Sequence, residues 1–353
     1  MQEQNKDMTV WDLISQLANK KGVTELAING PKSVFIEING DFTRLNVTLK
    51  KEKIYSFIKE VAQYNKKEIN DKRPIFDGLL PDGSRVNIVS EPISNGAPAI
   101  TIRKYNTQIM TFDQNKNIFE LDQKWISFFK AIIESKLNIV ICGGTGVGKT
   151  TFLNLLLQEV STQERIVTIE DTIELKFNIP NTVRLETNGE DGLVSTQKLV
   201  KNTLRMRPDR IILGEARGPE IFDVLQAMNT GHDGSMVSVH ANSCIEALSR
   251  IETLYMLNGN NIPITIARKQ ISMALDFIVH VNRTREGERF VSEILEVNGM
   301  EGDSVLTQSL AKADENNKLQ LEGLASSFMN KLIKEGGLNP NFFISEDKNL
   351  KIA

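Results

Sequence analysis

Cysteines, long apolar runs and an excess of charge are scarce in this sequence, and each scarcity excludes a class of protein. The 353 residues include only two cysteines, Cys142 and Cys244, which are too few for a disulfide framework and lack metal-ligand spacing. No apolar run approaches the roughly 20 residues that a membrane-spanning helix needs. The formal net charge is only −3, so the chain as a whole has no electrostatic attraction for nucleic acid.

These scarcities predict a cytoplasmic protein without a nucleic acid partner. If it acts at a membrane, we expect it to do so from outside the bilayer. The first residues, MQEQNKDMTVWDL, contain no basic region followed by an apolar stretch, so no secretory signal is predicted. The length favours two domains over a single small core.

Two regions of different pattern follow one another along the chain. Residues 1–105 alternate short strands with amphipathic helices around Gly-Pro and Asn-Gly turns, which predicts a small α+β domain. A polar stretch at 106–119 is predicted to be a linker. From 120 to 353, short apolar runs alternate with helical segments, which is typical of a parallel sheet covered on both faces. The tail after about residue 310 is charged and is predicted to be helical.

The stretch ICGGTGVGKTT, residues 141–151, places four glycines and one lysine directly after an apolar run. It fits the phosphate-binding pattern G-x-x-x-x-G-K-[ST], with a strand pattern before it and a helix pattern after it. Glycines let backbone N–H groups surround a phosphate, and the helix N-terminus adds partial positive charge. Lys149 is predicted to reach the β- and γ-phosphates. The predicted nucleotide-binding residues of this loop are Gly143, Gly144, Thr145, Gly146, Val147, Gly148, Lys149, Thr150 and Thr151.

Carboxylates end two further predicted strands. The segment RPDRIILGEARG brings Glu215 to a strand end that we expect to lie next to the P-loop strand, where it would hold the magnesium shell or polarise water. The segment TIEDTIEL carries Glu170, Asp171 and Glu174 at the edge of the sheet where open α/β folds bind ligands. For this second segment, a solvated turn with a capping aspartate is the alternative. The predicted magnesium ligands are Thr150, Glu170, Asp171 and Glu215.

Two of the three histidines, His232 and His240, fall within the single segment TGHDGSMVSVHAN. Zinc binding is disfavoured because no further ligands stand at the usual spacing. A neutral imidazole that senses the γ-phosphate or positions water fits the P-loop context better.

Arginines are a second set of candidates, because phosphoryl transfer needs positive charge near the γ-phosphate. Each single arginine is more often a surface or salt-bridge residue, but one or two members of the set are expected to reach a nucleotide. The set comprises Arg85, Arg103, Arg205, Arg207, Arg210 and Arg217.

Four motifs stand in order along the chain: GGTGVGKT, TIEDTIEL, RPDRIILGE and TGHDGSMVSVHAN. Together they resemble the Walker A, Asp box, Walker B and His box of the type II and type IV secretion ATPase superfamily. The resemblance extends over roughly residues 20–305 and is strongest to the tight-adherence (Flp) pilus assembly ATPases, the CpaF/TadA branch. That branch is indicated by VTELAINGPKSVFIE, DGSRVNIVSEP, APAITIRKY and LEVNGMEGD.

The resemblance implies a RecA-like P-loop ATPase domain of α/β class, preceded by the smaller α+β domain, which is PAS-like. It also implies a hexameric ring that binds ATP and Mg²⁺ between the two domains and drives an inner-membrane platform protein. Catalytic roles carry over to Lys149, Glu174, Glu215, His232 and His240. Nucleotide-contacting arginines carry over to Arg85 and Arg103 of the first domain and to Arg217.

The sequence departs from the family pattern in the Asp box, and several alternative functions stay open. The Asp box has Thr172 where related secretion ATPases often have proline. A conjugation-type secretion ATPase has the same chemistry with a different client. A RecA-like DNA motor is disfavoured by the acidic composition and by the lack of a basic stripe with interleaved aromatic residues. A regulator that holds nucleotide without turnover is disfavoured by the intact Lys149, Glu174 and Glu215.

Overall fold

The structure is a computed structural model that describes residues 8–344, except 19, 21, 39, 105–109, 115–117, 188–193 and 260. The chain divides into two compact units, Met1–Thr107 and Gln108–Ala353. Much of the predicted linker, 106–119, lies outside the described residues. Both cysteines are buried and free.

In its described residues, the first unit is an antiparallel sheet with two helices. Its six strands are arranged in the order β3-β2-β1-β6-β5-β4, and alternate residues of the central strands are buried. The core between sheet and helices contains Ile28, Ile54, Phe57 and Ile100. The elements are α1 (Val10–Ala18), β1 (Val23–Asn29), β2 (Val34–Ile38), β3 (Asp41–Arg44), α2 (Lys51–Tyr64), β4 (Ile75–Leu79), β5 (Arg85–Val89) and β6 (Ala99–Arg103).

The second unit contains a nine-stranded sheet in the order β15-β14-β13-β12-β7-β11-β10-β8-β9. Its first half comprises α3 (Gln123–Glu134), β7 (Ile139–Gly143), α4 (Lys149–Leu157), β8 (Ile166–Glu170), β9 (Thr182–Glu186), α5 (Thr196–Thr203), β10 (Arg210–Ala216) and α6 (Glu220–Met228). The second half comprises β11 (Met236–His240), α7 (Cys244–Met256), α8 (Ile264–Ala274), β12 (Phe277–Arg283), β13 (Arg289–Glu301), β14 (Ser304–Ala313), β15 (Leu319–Leu321) and α9 (Met329–Lys334).

Strands β12, β7, β11, β10, β8 and β9 are parallel to one another. A parallel sheet needs cover on both faces, and two separate cores provide it. One contains Phe129 of α3 and Phe152 of α4, and the other contains Leu225 of α6 and Ile251 of α7. The α/β fold with a smaller α+β unit before it is therefore confirmed.

The tail differs from the predicted helix. Strand β14 extends the sheet antiparallel to β13, and β15 pairs antiparallel with β14. Among the described residues after 313, α9 is the one helix. Leu310, Ala311 and Leu319 are buried against the sheet, while the charged residues between them face solvent. The prediction of a helical tail is therefore wrong for β14 and β15. The charged residues belong to the exposed side of a hairpin at the edge of the sheet.

Candidate functional site

The site lies at the edge of the sheet where the parallel strands end. Gly143 ends β7, Glu170 ends β8, Glu215 is next to last in β10, and His240 ends β11. Parallel strands bring their carboxyl ends to one edge, so these four residues share it. Strand β11 lies between β7 and β10, and His240 pairs in register with Gly143. The expectation that Glu215 lies on a strand adjacent to the P-loop strand is therefore wrong.

The P-loop has the predicted strand–loop–helix geometry. Gly148 is the N-cap of α4 with φ 102°, a left-handed conformation that favours glycine, and it offers no side chain to the helix amides. Gly143 approaches β12 so closely that a Cβ would lie 2.5 Å from the carbonyl oxygen of Val281. The amides of the first turn are thus open to an anion, which is the arrangement that binds phosphate.

Lys149 is folded back onto its own loop. Its Nζ donates to the carbonyl oxygens of Gly143 and Gly144, both at 3.0 Å, and lies 3.7 Å from Oε1 of Glu215. Burial lowers the pKa of Lys149, and the neighbouring Glu215 carboxylate opposes that shift. The lysine is therefore a half-buried cation that is held at the phosphate-binding loop by hydrogen bonds to that loop.

Arg217 joins the two acidic segments. It binds Oε2 of Glu215 through Nε at 2.9 Å and through Nη2, and its Nη1 lies 2.9 Å from Oδ2 of Asp171. Its side chain is 69% exposed, whereas that of Glu215 is 22% exposed, so the arginine covers the acid from the solvent side. The predicted contact between Arg217 and nucleotide stays a prediction, because the arginine here pairs with carboxylates.

Glu170 is engaged within the chain. Its Oε2 accepts hydrogen bonds from the backbone amides of Glu174 and Leu175, both at 2.8 Å, and its Oε1 accepts one from the Thr168 hydroxyl at 3.2 Å. It is buried, and burial raises the pKa of Glu170. These contacts are those of a residue that fixes the following loop, and they leave Glu174 half-buried at the site edge.

The predicted magnesium ligands are only partly brought together. Within the described part of the chain, no three His, Cys, Asp or Glu side chains converge as ligands for a metal ion. Thr150 lies in the first turn of α4, and Glu215 and Asp171 face a common arginine. The residues fit Mg²⁺ that is bound mainly through nucleotide phosphates, with one hydroxyl and one carboxylate from the chain.

His232 does not lie at the site. It precedes β11, at the opposite edge of the sheet from His240, and its Nδ1 contacts the carbonyl oxygen of Ala227 at the end of α6. The predicted pairing of His232 with His240 near the γ-phosphate is therefore wrong. His240 is exposed and pairs with Gly143 at the start of the P-loop, and its role near the γ-phosphate stays a prediction.

Arg85 and Arg103 belong to the first unit, where they are register partners across β5 and β6. Both are exposed, and Arg103 is also the register partner of Glu25 on β1. The two arginines therefore form one cationic position on the first sheet. Their contact with nucleotide stays a prediction.

Sequence reasoning missed Phe119 and Arg289, which both pack on Gly148. Phe119 lies at the end of the predicted linker, and Arg289 begins β13. No motif contains either residue, and their approach to the P-loop depends on the order of the strands.

Comparison with known proteins matches residues 7–312 to the family described as Type II/IV secretion system protein. The conjugal transfer protein TrbB of Rhizobium radiobacter is 33% identical over 297 residues, which cover 83% of this chain and 89% of that protein. The type IV secretion system protein VirB11 of Brucella suis biovar 1 (strain 1330) is 31% identical over 306 residues, covering 77% of this chain and 85% of that one.

Among solved structures, the Legionella pneumophila ATPase DotB has the same fold, with a TM-score of 0.61 and 20% identity over 82% of each chain. Among the described residues, no helix is long and apolar enough to cross a bilayer.

Proposed function

Because the chain belongs to the Type II/IV secretion system protein family, we propose that it is the ATP-hydrolysing motor of a conjugation-type (type IV) secretion system. The chain is an ATPase with a RecA-like core, and the proposal concerns what its hydrolysis drives. The observation that carries the proposal is its similarity, over most of both chains, to proteins named for conjugal transfer and type IV secretion.

The P-loop edge supports binding of Mg²⁺ and ATP. Lys149 would exchange the carbonyl oxygens of its own loop for the β- and γ-phosphates. Thr150 and Glu215 would hold Mg²⁺, which neutralises phosphate charge when it is bound. Release of Glu215 from Lys149 and Arg217 is needed for this role, so nucleotide binding and exposure of the acid are linked.

Glu174 is the proposed residue that orients the attacking water and accepts its proton. Its backbone is fixed by Glu170, so the position of its carboxylate is set by the loop that follows β8. Arg217 lies close enough to Glu174 for an electrostatic interaction between the two side chains. An arginine among these carboxylates can compensate negative charge before ATP arrives.

The chain is further proposed to assemble into a hexameric ring at the inner membrane. In the proposed ring, Arg85 and Arg103 contact the nucleotide, because phosphoryl transfer needs positive charge near the γ-phosphate. The ring would act from the cytoplasm on an inner-membrane platform protein.

A tight-adherence (Flp) pilus motor is the second candidate, favoured by segments such as DGSRVNIVSEP and LEVNGMEGD. The two candidates share the chemistry and differ in the client. Deleting the gene in its own cell, and scoring DNA transfer and surface pili separately, distinguishes them. Lost DNA transfer supports the conjugation motor, and lost pili with intact transfer supports the pilus motor.

The motor itself is tested by steady-state ATP hydrolysis of the purified chain with Mg²⁺ across a range of protein concentrations. Specific activity that rises with concentration is expected, because the site is completed between subunits. A flat specific activity would contradict the ring, and no activity above a Lys149→Ala preparation would contradict the motor.

A further inference from the structure

Arg289 lies against the P-loop although it belongs to no motif. Strand β13 is antiparallel to β12, and β12 is a parallel neighbour of β7, so β13 begins at the edge where the P-loop lies. Nη1 of Arg289 donates to Oγ1 of Thr151 at 3.4 Å. A Cβ on Gly148 would lie 2.9 Å from Cδ of Arg289, so the stem of the arginine packs directly on this glycine.

The start of β13 is held in place by Phe119. The carbonyl oxygen of Phe119 accepts a hydrogen bond from the amide of Val291 at 3.2 Å. The Phe119 ring is buried, packs on Gly148 and lies 5.0 Å from the ring of Phe152 in α4. Phe119 therefore links the start of β13, and with it Arg289, to the P-loop and to α4.

Three groups at this place favour a bound anion. The N-terminus of α4 carries partial positive charge. Lys149 places an ammonium group in the first turn, and Arg289 places a guanidinium beside it. A bound phosphate supplies the negative charge that all three groups favour.

We propose that Arg289 binds the α-phosphate of the nucleotide, an inference that rests on the proposed function. Lys149 and Thr150 are the residues of this motif that serve the β- and γ-phosphates and the metal. The donor of Arg289 lies instead at Thr151, one residue further into the helix. Because ATP and ADP share the α-phosphate, Arg289 contributes to both affinities equally and acts on KM rather than on kcat.

The test compares Arg289→Ala with the wild-type chain by calorimetric binding of Mg·ADP and of a non-hydrolysable ATP analogue. We expect both affinities to fall by the same factor, about 10-fold or more, since a charge-assisted hydrogen bond is lost. Arg289→Lys keeps the charge and should recover part of the loss. At saturating ATP, kcat of Arg289→Ala should stay near that of the wild type.

Arg285→Ala is the matched control, because Arg285 is an exposed arginine of the same β12–β13 hairpin. It should bind both nucleotides like the wild type. A loss confined to the ATP analogue, or a large fall in kcat, would place Arg289 at the γ-phosphate and overturn the proposal. Unchanged affinities, with or without a lower melting temperature, would leave Arg289 a packing residue only. Absence of nucleotide binding by the wild-type chain would instead contradict the proposed function.

Discussion

Nζ of Lys149 lies 3.7 Å from Oε1 of Glu215, although β11 lies between β7, which precedes Lys149, and β10, which contains Glu215. The pair joins the phosphate-binding loop to the acid of β10. Arg217 binds the other oxygen of the same carboxylate. Both oxygens of Glu215 therefore face a cation, and we expect a bound γ-phosphate to compete with this carboxylate for Lys149.

Lys149→Ala should abolish ATP turnover, because the alanine removes the cation that reaches the β- and γ-phosphates. The measurement is steady-state phosphate release with Mg²⁺. Lys201→Ala, which removes an exposed lysine paired with Asp223, is the control and should retain full activity. Near-normal turnover in Lys149→Ala would contradict the assignment of this loop.

Glu215→Gln should keep nucleotide binding and lower turnover by about 100-fold or more, the scale at which a positioned acid or base contributes. Glutamine keeps the size of the side chain but removes the charge that Mg²⁺ or water requires. Calorimetry and steady-state kinetics on the same preparation separate the two effects. If binding and turnover fall together, Glu215 has a structural role instead.

Glu170→Ala and Glu174→Gln should have different effects on stability and activity. Alanine at 170 leaves the backbone amides of Glu174 and Leu175 without their side-chain acceptor, which should lower the free energy of unfolding by about 1–3 kcal/mol. Glutamine at 174 should leave stability nearly unchanged and remove turnover. Denaturant unfolding and phosphate release on both variants provide the comparison. A stable, inactive Glu170→Ala would show that Glu170 acts in the chemistry.

Asp276 should make the protein less stable as pH rises from about 4 to 6. Burial raises the pKa of Asp276 to about 6, with Asp233 and Glu296 adding to that direction and the Asn138 amide and Lys331 opposing it. The native state then binds a proton that the unfolded chain has released, so stability is lost as pH rises through this window.

Asp276→Asn should remove this dependence and stabilise the chain at pH 7 by about 2–3 kcal/mol. Its amide oxygen can still accept the bond from the Asn138 backbone, which is 2.7 Å long with aspartate. The measurement is the difference in unfolding free energy between wild type and variant at pH 4, 5, 6 and 7. A difference that is constant across these values would contradict a raised pKa.

The P-loop could be predicted because its chemistry is encoded within eight consecutive residues. Glu170 and Glu215 could also be predicted to lie at the carboxyl ends of strands, because each follows an apolar run. The separation of His232 from His240 could not be predicted. Two residues eight positions apart lie close together if a loop joins them and far apart if a strand does, and only the fold shows that β11 joins them.

Strand order is a second property that local patterns do not contain. The insertion of β11 between β7 and β10, and the approach of Arg289 to Gly148, both arise from pairing between segments far apart in the chain. The structural role of Glu170 could not be predicted for a related reason. Its residue type suggests a metal ligand, whereas its partners are amides that only the folded loop presents.

The central position of β7 divides the site into parts that exchange amide hydrogens at different rates. All five residues of β7 are buried, and β11 and β12 bond it on both sides. Its amides meet solvent only when two ladders open, so they should exchange near the rate of global unfolding. Residues 171–181 contain neither helix nor strand, and they should exchange through local opening. Amide exchange should therefore be slow in β7, the strand before the P-loop, and fast in the acidic loop 171–181.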